Sequence, residues 1–206
     1  MDEHTQPAKL DVPVTKRDHI AGPPDALVTL VEYGDYQCPH CGHAAPIVRE
    51  IQRRLGPRLR FVFRHFPLRE IHPAAQHAAE AAEAAGEQDR FWDMHDVLLD
   101  HQSALDDRSL VSHAGALGLD VPRFRDALRS HRHAARVRAD FLGGVRSGVN
   151  GTPTFFINGL RHDDAWDLDT LLDALLRVGR FSPGAPAFWS GRHGIEIANP
   201  TDAWRG

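Results

Sequence analysis

Two cysteines separated by two residues are the strongest chemical signal in this chain of 206 residues. They are Cys38 and Cys41, the only cysteines present, with Pro39 and His40 between them. A disulfide between them would close a very small loop, so it would stabilise the fold far less than a bridge that spans the domain. The pair is therefore better suited to reversible redox chemistry than to structural cross-linking.

The elements predicted around the pair explain how it would react. Residues 26–33 form an apolar, β-branched run typical of a buried strand, and from Ala44 onward apolar residues recur at helical spacing. Cys38 would then lie at a helix N-terminus, where unpaired backbone N–H groups and the helix dipole stabilise a thiolate. We expect Cys38 to be exposed, nucleophilic and of lowered pKa. Cys41, one turn later and shielded, would resolve the mixed disulfide.

The following elements predict a single α/β domain that is interrupted by helices. Residues 59–63 complete a strand-helix-strand unit, which requires a parallel pair with a right-handed crossover. Residues 72–144 carry no convincing strand and are rich in Ala, Leu, Arg and Asp, so we expect a helical insert. Its predicted helices cover residues 74–85, 91–99, 110–117 and 124–142.

The last part of the pattern returns to β-structure and closes with a helix. Within residues 154–162 we predict a strand, a tight turn at Asn158-Gly159 and a return strand. Leucines at helical spacing between residues 168 and 176 predict the final helix, with Asp167 as its N-cap. Residues 181–206 show neither the helical nor the strand period.

Two segments of the chain resemble the DsbA-like branch of the thioredoxin superfamily. Residues 31–41 read Val-Glu-Tyr-Gly-Asp-Tyr-Gln-Cys-Pro-His-Cys, and residues 151–159 read Gly-Thr-Pro-Thr-Phe-Phe-Ile-Asn-Gly. The resemblance extends over residues 13–178. It implies a thioredoxin fold (βαβ-ββα) with an inserted all-helical domain, and it implies dithiol-disulfide exchange on protein substrates.

On this interpretation the chain divides into five segments. They are an N-terminal extension (1–24), the first part of the thioredoxin fold (25–70), the helical insertion (71–148), the second part of the thioredoxin fold (149–180) and a C-terminal tail (181–206).

The same resemblance assigns roles to residues outside the cysteine pair. Pro153 resembles the family's cis-proline, whose loop faces the two sulfurs, and the backbone of Thr152 would pair with an extended substrate strand. Glu32 occupies the place of an acidic residue beneath the active site. Buried there, it would have a raised pKa and move a proton to or from Cys41. The alternative is a carboxylate at the strand end that reaches solvent.

His40 and Pro39 complete the candidate site. His40 can supply positive charge or a donor beside the Cys38 sulfur, and the alternative is a solvated turn histidine. Our assignment is Cys38 and Cys41 as the reacting thiols, with Pro39 and His40 as part of the catalytic motif. No cofactor or metal is required, although Cys38, Cys41 and His43 are close enough in sequence to raise a zinc site as an alternative.

Partners follow from the cysteine count and the charge. The formal net charge is −4, which favours neither a nucleic-acid partner nor an anionic membrane surface. The Arg-rich stretch 123–146 is interrupted by acidic and apolar residues, so a solvated helix face is favoured there over nucleic-acid binding. Without a third cysteine, an external protein or low-molecular-weight thiol must recycle the pair.

No secretory signal or membrane-spanning run is visible, so we expect a cytoplasmic protein without membrane insertion.

Other functions stay open at this level. Cys-Pro-His-Cys resembles strongly oxidising family members, whereas Thr152 before the proline resembles isomerases and reductases, so the direction of electron flow is undecided. A glutathione-dependent transferase or isomerase of the kappa type is a second enzyme class, although such proteins generally carry a serine or an isolated thiol at the catalytic position. A redox sensor or holdase is the non-enzymatic alternative, and similar domains also occur fused to ion antiporters.

Overall fold

Five strands and seven α-helices make up the computed structural model, which describes residues 8–181. In chain order they are β1 (His19–Ala21), β2 (Val28–Gly34), α1 (Pro39–Leu55), β3 (Leu59–His65), α2 (Ala75–Gly86), α3 (Phe91–Asp100), α4 (Asp107–Ala116), α5 (Val121–Arg129), α6 (Ala134–Arg146), β4 (Thr154–Ile157), β5 (Leu160–His162) and α7 (Leu168–Phe181). No helix among these residues is both long enough and apolar enough to span a membrane.

The strands form one mixed sheet in the order β1-β3-β2-β4-β5. β1 pairs antiparallel with β3, and β4 pairs antiparallel with β5. Strand β2, all of whose residues are buried, lies in the middle of the sheet. The predicted order of strand, helix, strand, helical insertion, two strands and final helix is therefore confirmed.

The predicted hairpin between β4 and β5 is present. Ile157 lies opposite Leu160, and the two turn residues Asn158 and Gly159 both have positive φ angles, 47° and 84°. A two-residue turn with this geometry matches the twist of antiparallel strands, and Asn and Gly tolerate it best. The Asn158 side chain also accepts a hydrogen bond from the backbone N–H of Thr29 at 2.7 Å, which ties the turn to the start of β2.

The N-terminal residues add β-structure that the sequence did not predict. Strand β1 has only three residues, each half-buried. So short a segment cannot show an apolar run or a strand period in its sequence. Lys9 forms an isolated bridge with Leu160, and the backbone N–H of Leu10 donates to the carbonyl of Gly159 at 2.9 Å. Gly22 follows β1 with a φ of 99°, and a Cβ at this position would collide with the Leu59 carbonyl.

The described residues group into two compact units. The sheet unit contains residues 8–32, 46–63 and 155–181. The helical unit contains Tyr33–Ala45 and Arg64–Thr154. The cysteine pair and the Thr152-Pro153 segment thus belong to the same unit as the inserted helices.

In the sheet unit, α7 follows the predicted pattern. Leu171 and Leu175 are fully buried, and Leu172 is nearly so. The Asp167 carboxylate accepts a hydrogen bond from the backbone N–H of Thr170 at 3.1 Å, which confirms the predicted N-cap.

In the helical unit, α2 is the central helix and packs against α3, α4, α5 and α6. Most of its buried residues are alanines, whose small side chains let neighbouring helices approach closely. The acidic residue Glu83 is buried among them and lies 2.9 Å from His65 Nε2, a contact that satisfies a carboxylate otherwise costly to bury.

The prediction of one helix over residues 124–142 is wrong, because the chain breaks between α5 and α6. His131 adopts a left-handed φ of 49°, and its Nδ1 lies 3.1 Å from the buried Glu80 carboxylate on α2. The Ser130 hydroxyl donates to the Asp126 carbonyl at 2.8 Å, which satisfies one acceptor at the end of α5.

Close packing in this unit depends on Gly144 of α6. A Cβ at Gly144 would lie 2.7 Å from Cδ2 of Phe66 and 3.0 Å from Cδ1 of Tyr33. Phe66 in turn stacks on Phe141, with ring centroids 4.5 Å apart. The helix can therefore approach these aromatic rings only because a glycine stands at this position.

Candidate active site

The cysteine pair lies where the sequence predicts it, at the N-terminus of α1. Helix α1 begins at Pro39, a residue well suited to a first helical position, so Cys38 immediately precedes the helix and Cys41 lies in its first turn. Both cysteines are free thiols. The prediction that Cys38 is exposed is wrong: Cys38 retains only 4% of its surface and Cys41 none, because the Thr152 segment lies against the Cys38 sulfur.

A chain of hydrogen bonds connects the two sulfurs to the backbone. The backbone N–H of Asp35 donates to Cys41 Sγ at 3.4 Å, and the Cys41 thiol donates to Cys38. The backbone N–H of Asp35 thus supports the thiol that stabilises the Cys38 thiolate.

The pKa of Cys38 is lowered from its ordinary value of 9.0 to about 5. The hydrogen bond from the Cys41 side chain is the largest cause, and burial of the sulfur acts in the opposite direction. The Thr152 side chain and the backbone N–H groups of Cys41 and His40 lower it further. The predicted lowering is confirmed, and its cause is mainly local hydrogen bonding to the thiolate.

Thr152 and Pro153 lie beside the Cys38 sulfur, and the peptide bond between them is cis, as predicted. The Cys38 thiol donates to the Thr152 carbonyl at 3.4 Å. The Thr152 hydroxyl is buried and has no hydrogen-bond partner among the described residues while Cys38 is a thiol. Ionisation of Cys38 creates an acceptor for this hydroxyl, which accounts for its effect on the Cys38 pKa.

Asp35 supports the active-site turn, a role that no pattern in the sequence indicates. Its buried carboxylate accepts hydrogen bonds from the backbone N–H groups of Gln37 at 2.7 Å and Leu68 at 2.8 Å. The same carboxylate lies 2.8 Å from His72 Nδ1. Its own carbonyl accepts from the backbone N–H of Cys38 at 3.1 Å. Asp35 therefore links the turn before α1 to the segment that leads into the inserted helices.

Two glutamines add further links between the turn and the insertion. The Gln37 side-chain oxygen accepts from the backbone N–H of Ala74 at 2.7 Å. Gln102, in the loop after α3, donates from Nε2 to the carbonyls of Tyr36 at 3.0 Å and Cys38 at 2.7 Å. Neither glutamine was singled out from the sequence. Gln102 is 64 residues from Cys38, and no local pattern indicates such a contact.

The other predicted site residues have different surroundings. Pro39 and His40 are exposed, and His40 acts on the Cys38 pKa through its backbone N–H. An effect of the His40 ring stays a prediction. Glu32 lies in the sheet unit and is only 3% exposed, so the alternative of a solvent-reaching carboxylate is wrong. Its role in proton transfer stays a prediction.

Comparison with known proteins identifies the family. Residues 14–176 match the family model described as thioredoxin, which is most of the chain. The chain belongs to this thioredoxin family. The predicted membership of the thioredoxin superfamily, with a DsbA-like fold, is thereby confirmed.

Solved structures with a similar fold include a thioredoxin-like oxidoreductase, BdbD and alpha-DsbA1. A thioredoxin-like oxidoreductase from Silicibacter pomeroyi DSS-3 is 25% identical, with a TM-score of 0.72 over 82% of this chain and 95% of that one. BdbD from Bacillus subtilis is 23% identical, with a TM-score of 0.74 over 85% of this chain and 98% of BdbD. Alpha-DsbA1 from Wolbachia pipientis is 19% identical, with a TM-score of 0.70 over 83% and 94% of the two chains.

Curated relatives of higher identity are antiporters. The Na(+)/H(+) antiporter NhaA 1 of Salinispora arenicola is 50% identical over 167 residues, which is 81% of this chain and 26% of the antiporter. NhaA of Herminiimonas arsenicoxydans is 41% identical over 175 residues, 84% of this chain and 28% of the antiporter. This chain therefore spans about a quarter of the length of these curated relatives.

Proposed function

We propose that this chain catalyses thiol-disulfide exchange with protein or low-molecular-weight thiol substrates through Cys38 and Cys41. The observation that carries the proposal is the Cys38 sulfur, which has a pKa of about 5 and lies one helical turn from a second thiol. At neutral pH such a sulfur is a thiolate, the form that attacks disulfides, and it is also a good leaving group.

Substrate oxidation proceeds in two exchanges. A substrate thiolate attacks the Cys38 sulfur of the Cys38–Cys41 disulfide, a mixed disulfide forms, and Cys41 leaves as a thiolate that takes up a proton. A second substrate thiolate then attacks the substrate sulfur of the mixed disulfide, and Cys38 leaves as a thiolate. The substrate gains a disulfide and gives two electrons to the pair. With a substrate disulfide and a reduced pair, the same steps run in reverse.

Other residues of the proposed site bind substrate and move protons. The Thr152 backbone pairs with an extended substrate segment next to Cys38, and Pro153 shapes that loop. Glu32 carries the proton that Cys41 gains or loses, and His40 supplies positive charge or a hydrogen-bond donor beside the Cys38 sulfur.

The pair also needs a redox partner, because the sequence contains only two cysteines. We propose that a separate protein or a low-molecular-weight thiol-disulfide couple recycles it. The low pKa of Cys38 favours net substrate oxidation, because it stabilises the reduced pair. A cytoplasmic location, which the sequence predicts, would oppose net substrate oxidation, because a reducing compartment would keep the pair as a dithiol.

Trapping of mixed disulfides tests the proposal and the two cysteine roles. A peptide disulfide is incubated with the reduced Cys41→Ser chain and, as the matched control, the reduced Cys38→Ser chain, and products are identified by mass spectrometry. We expect a stable adduct on Cys38 in the first chain and little adduct on Cys41 in the second. Preferential adducts on Cys41 would reverse the roles, and the absence of exchange in the unaltered chain would refute the function.

The antiporter relatives favour a second candidate, a redox sensor that acts on an ion antiporter. The chain is 50% identical to a segment making up 26% of one such protein. In a sensor, the disulfide changes a binding surface and turnover of substrate thiols is not required. Binding to an antiporter membrane domain that survives Cys38→Ser, together with negligible exchange by the unaltered chain, would favour this candidate.

A further inference from the structure

Gln102 contacts the redox turn from the inserted helices. It lies two residues after α3 ends at Asp100 and is half-buried. Its side-chain Nε2 spans two carbonyls of the turn, those of Tyr36 and Cys38. The Cys38 carbonyl also accepts the backbone N–H of Gly42 at 3.2 Å, the first hydrogen bond of α1. One side-chain amide thus fixes the peptide groups on both sides of the turn that holds the Cys38 sulfur.

Gly42 provides independent support for this arrangement. A Cβ on Gly42 would lie 2.8 Å from Cδ of Gln102 and closer still to its Oε1. Glycine in a helix interior costs about 1 kcal/mol relative to alanine, so a glycine in α1 needs a structural reason. The space that it leaves is occupied by the Gln102 amide.

We infer that Gln102 is a positioning residue for the redox pair, holding the turn so that the backbone N–H groups at the start of α1 face the Cys38 sulfur. The inference rests on the proposed function, because it concerns the reactivity of the same sulfur. Gln102 does not touch the sulfur itself. It acts through the Tyr36 and Cys38 carbonyls, to which its amide donates. By holding these carbonyls, Gln102 sets the direction of the backbone N–H groups of His40 and Cys41, which donate to the Cys38 thiolate.

The loop that carries Gln102 is itself held by the insertion. His101 Nδ1 lies 2.9 Å from the Val97 carbonyl, and the backbone N–H of Ala104 donates to the His101 carbonyl at 2.8 Å. His113 Nε2, on α4, lies 3.1 Å from the Ala104 carbonyl. These contacts attach the loop that carries Gln102 to both α3 and α4. Through Gln102, the insertion therefore influences the reactivity of Cys38.

The test compares Gln102→Ala with Ser103→Ala, an exposed neighbour in the same loop, in the full-length chain. The pH profile of Cys38 alkylation gives its pKa, and equilibration with glutathione gives the redox equilibrium constant. For Gln102→Ala we expect a pKa higher by about half a unit to one unit and an equilibrium constant changed roughly three- to tenfold toward the disulfide. Ser103→Ala should leave both unchanged.

Gly42→Ala supplies an independent arm, because the added methyl group displaces the Gln102 amide while alanine favours the helix. We expect Gly42→Ala to shift both quantities in the same direction as Gln102→Ala. In the double variant, Gly42→Ala should add almost no further change in the pKa or the equilibrium constant, because the Gln102 amide that it displaces is already absent. Should Gln102→Ala fail to fold, Gly42→Ala carries the same measurement.

Two results would overturn the inference. One is an unaltered Cys38 pKa in a Gln102→Ala chain whose two redox forms lose stability equally, which is the mark of a purely structural contact. The other is full additivity of the two substitutions. Failure of the proposed function is distinguishable, because the alkylation profile reports on Gln102 even in a chain that does not exchange with substrates.

Discussion

Removal of the Cys38 thiol should change how the stability of the reduced protein depends on pH. In the folded state the Cys38 pKa is about 5, against 9.0 as its ordinary value. Between these values the folded chain has lost the Cys38 proton and the unfolded chain has kept it, so stability rises with pH. This contribution is fully present above the unfolded value and is lost as pH falls through the folded value.

The magnitude follows from the size of the shift. The slope through the window from pH 9 to pH 5 is about 1.36 kcal/mol per pH unit. At pH 7, two units above the folded pKa, the thiolate contributes about 3 kcal/mol, and at pH 5 less than about 0.5 kcal/mol.

Urea unfolding of the reduced protein and of Cys38→Ala at several pH values measures this contribution. Loss of the side chain also changes packing, but that offset does not depend on pH, so the difference between the two curves isolates the thiolate. The unaltered chain should lose about 2 kcal/mol relative to Cys38→Ala between pH 7 and pH 5. Parallel curves over this range would refute the assignment of a stabilised thiolate.

Three further changes to the chain test the Cys38 environment, the packing of α6 and the role of the C-terminal tail. Thr152→Val should raise the Cys38 pKa by about one unit, because it removes the buried hydroxyl that can donate to the thiolate, whereas Thr152→Ser should leave the alkylation profile close to that of the unaltered chain. Gly144→Ala should lower the free energy of unfolding by about 1–3 kcal/mol in urea, because its methyl group would overlap the packed aromatic rings, and Gly115→Ala, a helical glycine with room for a Cβ, should not. Deletion of residues 182–206, which lie outside the described part of the chain, should leave the exchange rate with a peptide disulfide unchanged, and loss of exchange in a folded truncated chain would contradict this.

The sequence predicts the fold best where side-chain patterns are long or chemically specific. The all-buried strand β2 appears as a continuous apolar run, and the Asn158-Gly159 turn appears as a pair of residues that tolerate positive φ. Strand β1, with three half-buried residues, offers no such pattern. The break between α5 and α6 depends on His131 and its contact with Glu80 on another helix, which helix periodicity does not encode.

In the candidate site, too, some residues belong to recognisable sequence motifs and others are brought in only by tertiary contacts. Short motifs contain Cys38, Cys41 and Pro153, and their resemblance to the DsbA-like branch predicts the cis peptide bond and its proximity to the cysteines. Gln102 belongs to the insertion, and its contacts depend on how that insertion folds against the turn. The near-complete burial of Cys38 likewise depends on residues distant in sequence, such as Thr152.

Equilibration with glutathione buffers of graded ratio measures whether Cys38 and Cys41 form a redox-active pair and at what potential. Mass spectrometry after alkylation gives the fraction of chain that carries the Cys38–Cys41 disulfide. Proteins with a nucleophilic cysteine pKa near 7 and near 3.5 have potentials of roughly −270 mV and −120 mV, so a Cys38 pKa of about 5 predicts a single two-electron transition between those limits. Failure to form the disulfide at any ratio, or a transition more reducing than about −270 mV, would show that the Cys38 thiolate does not stabilise the reduced pair as proposed.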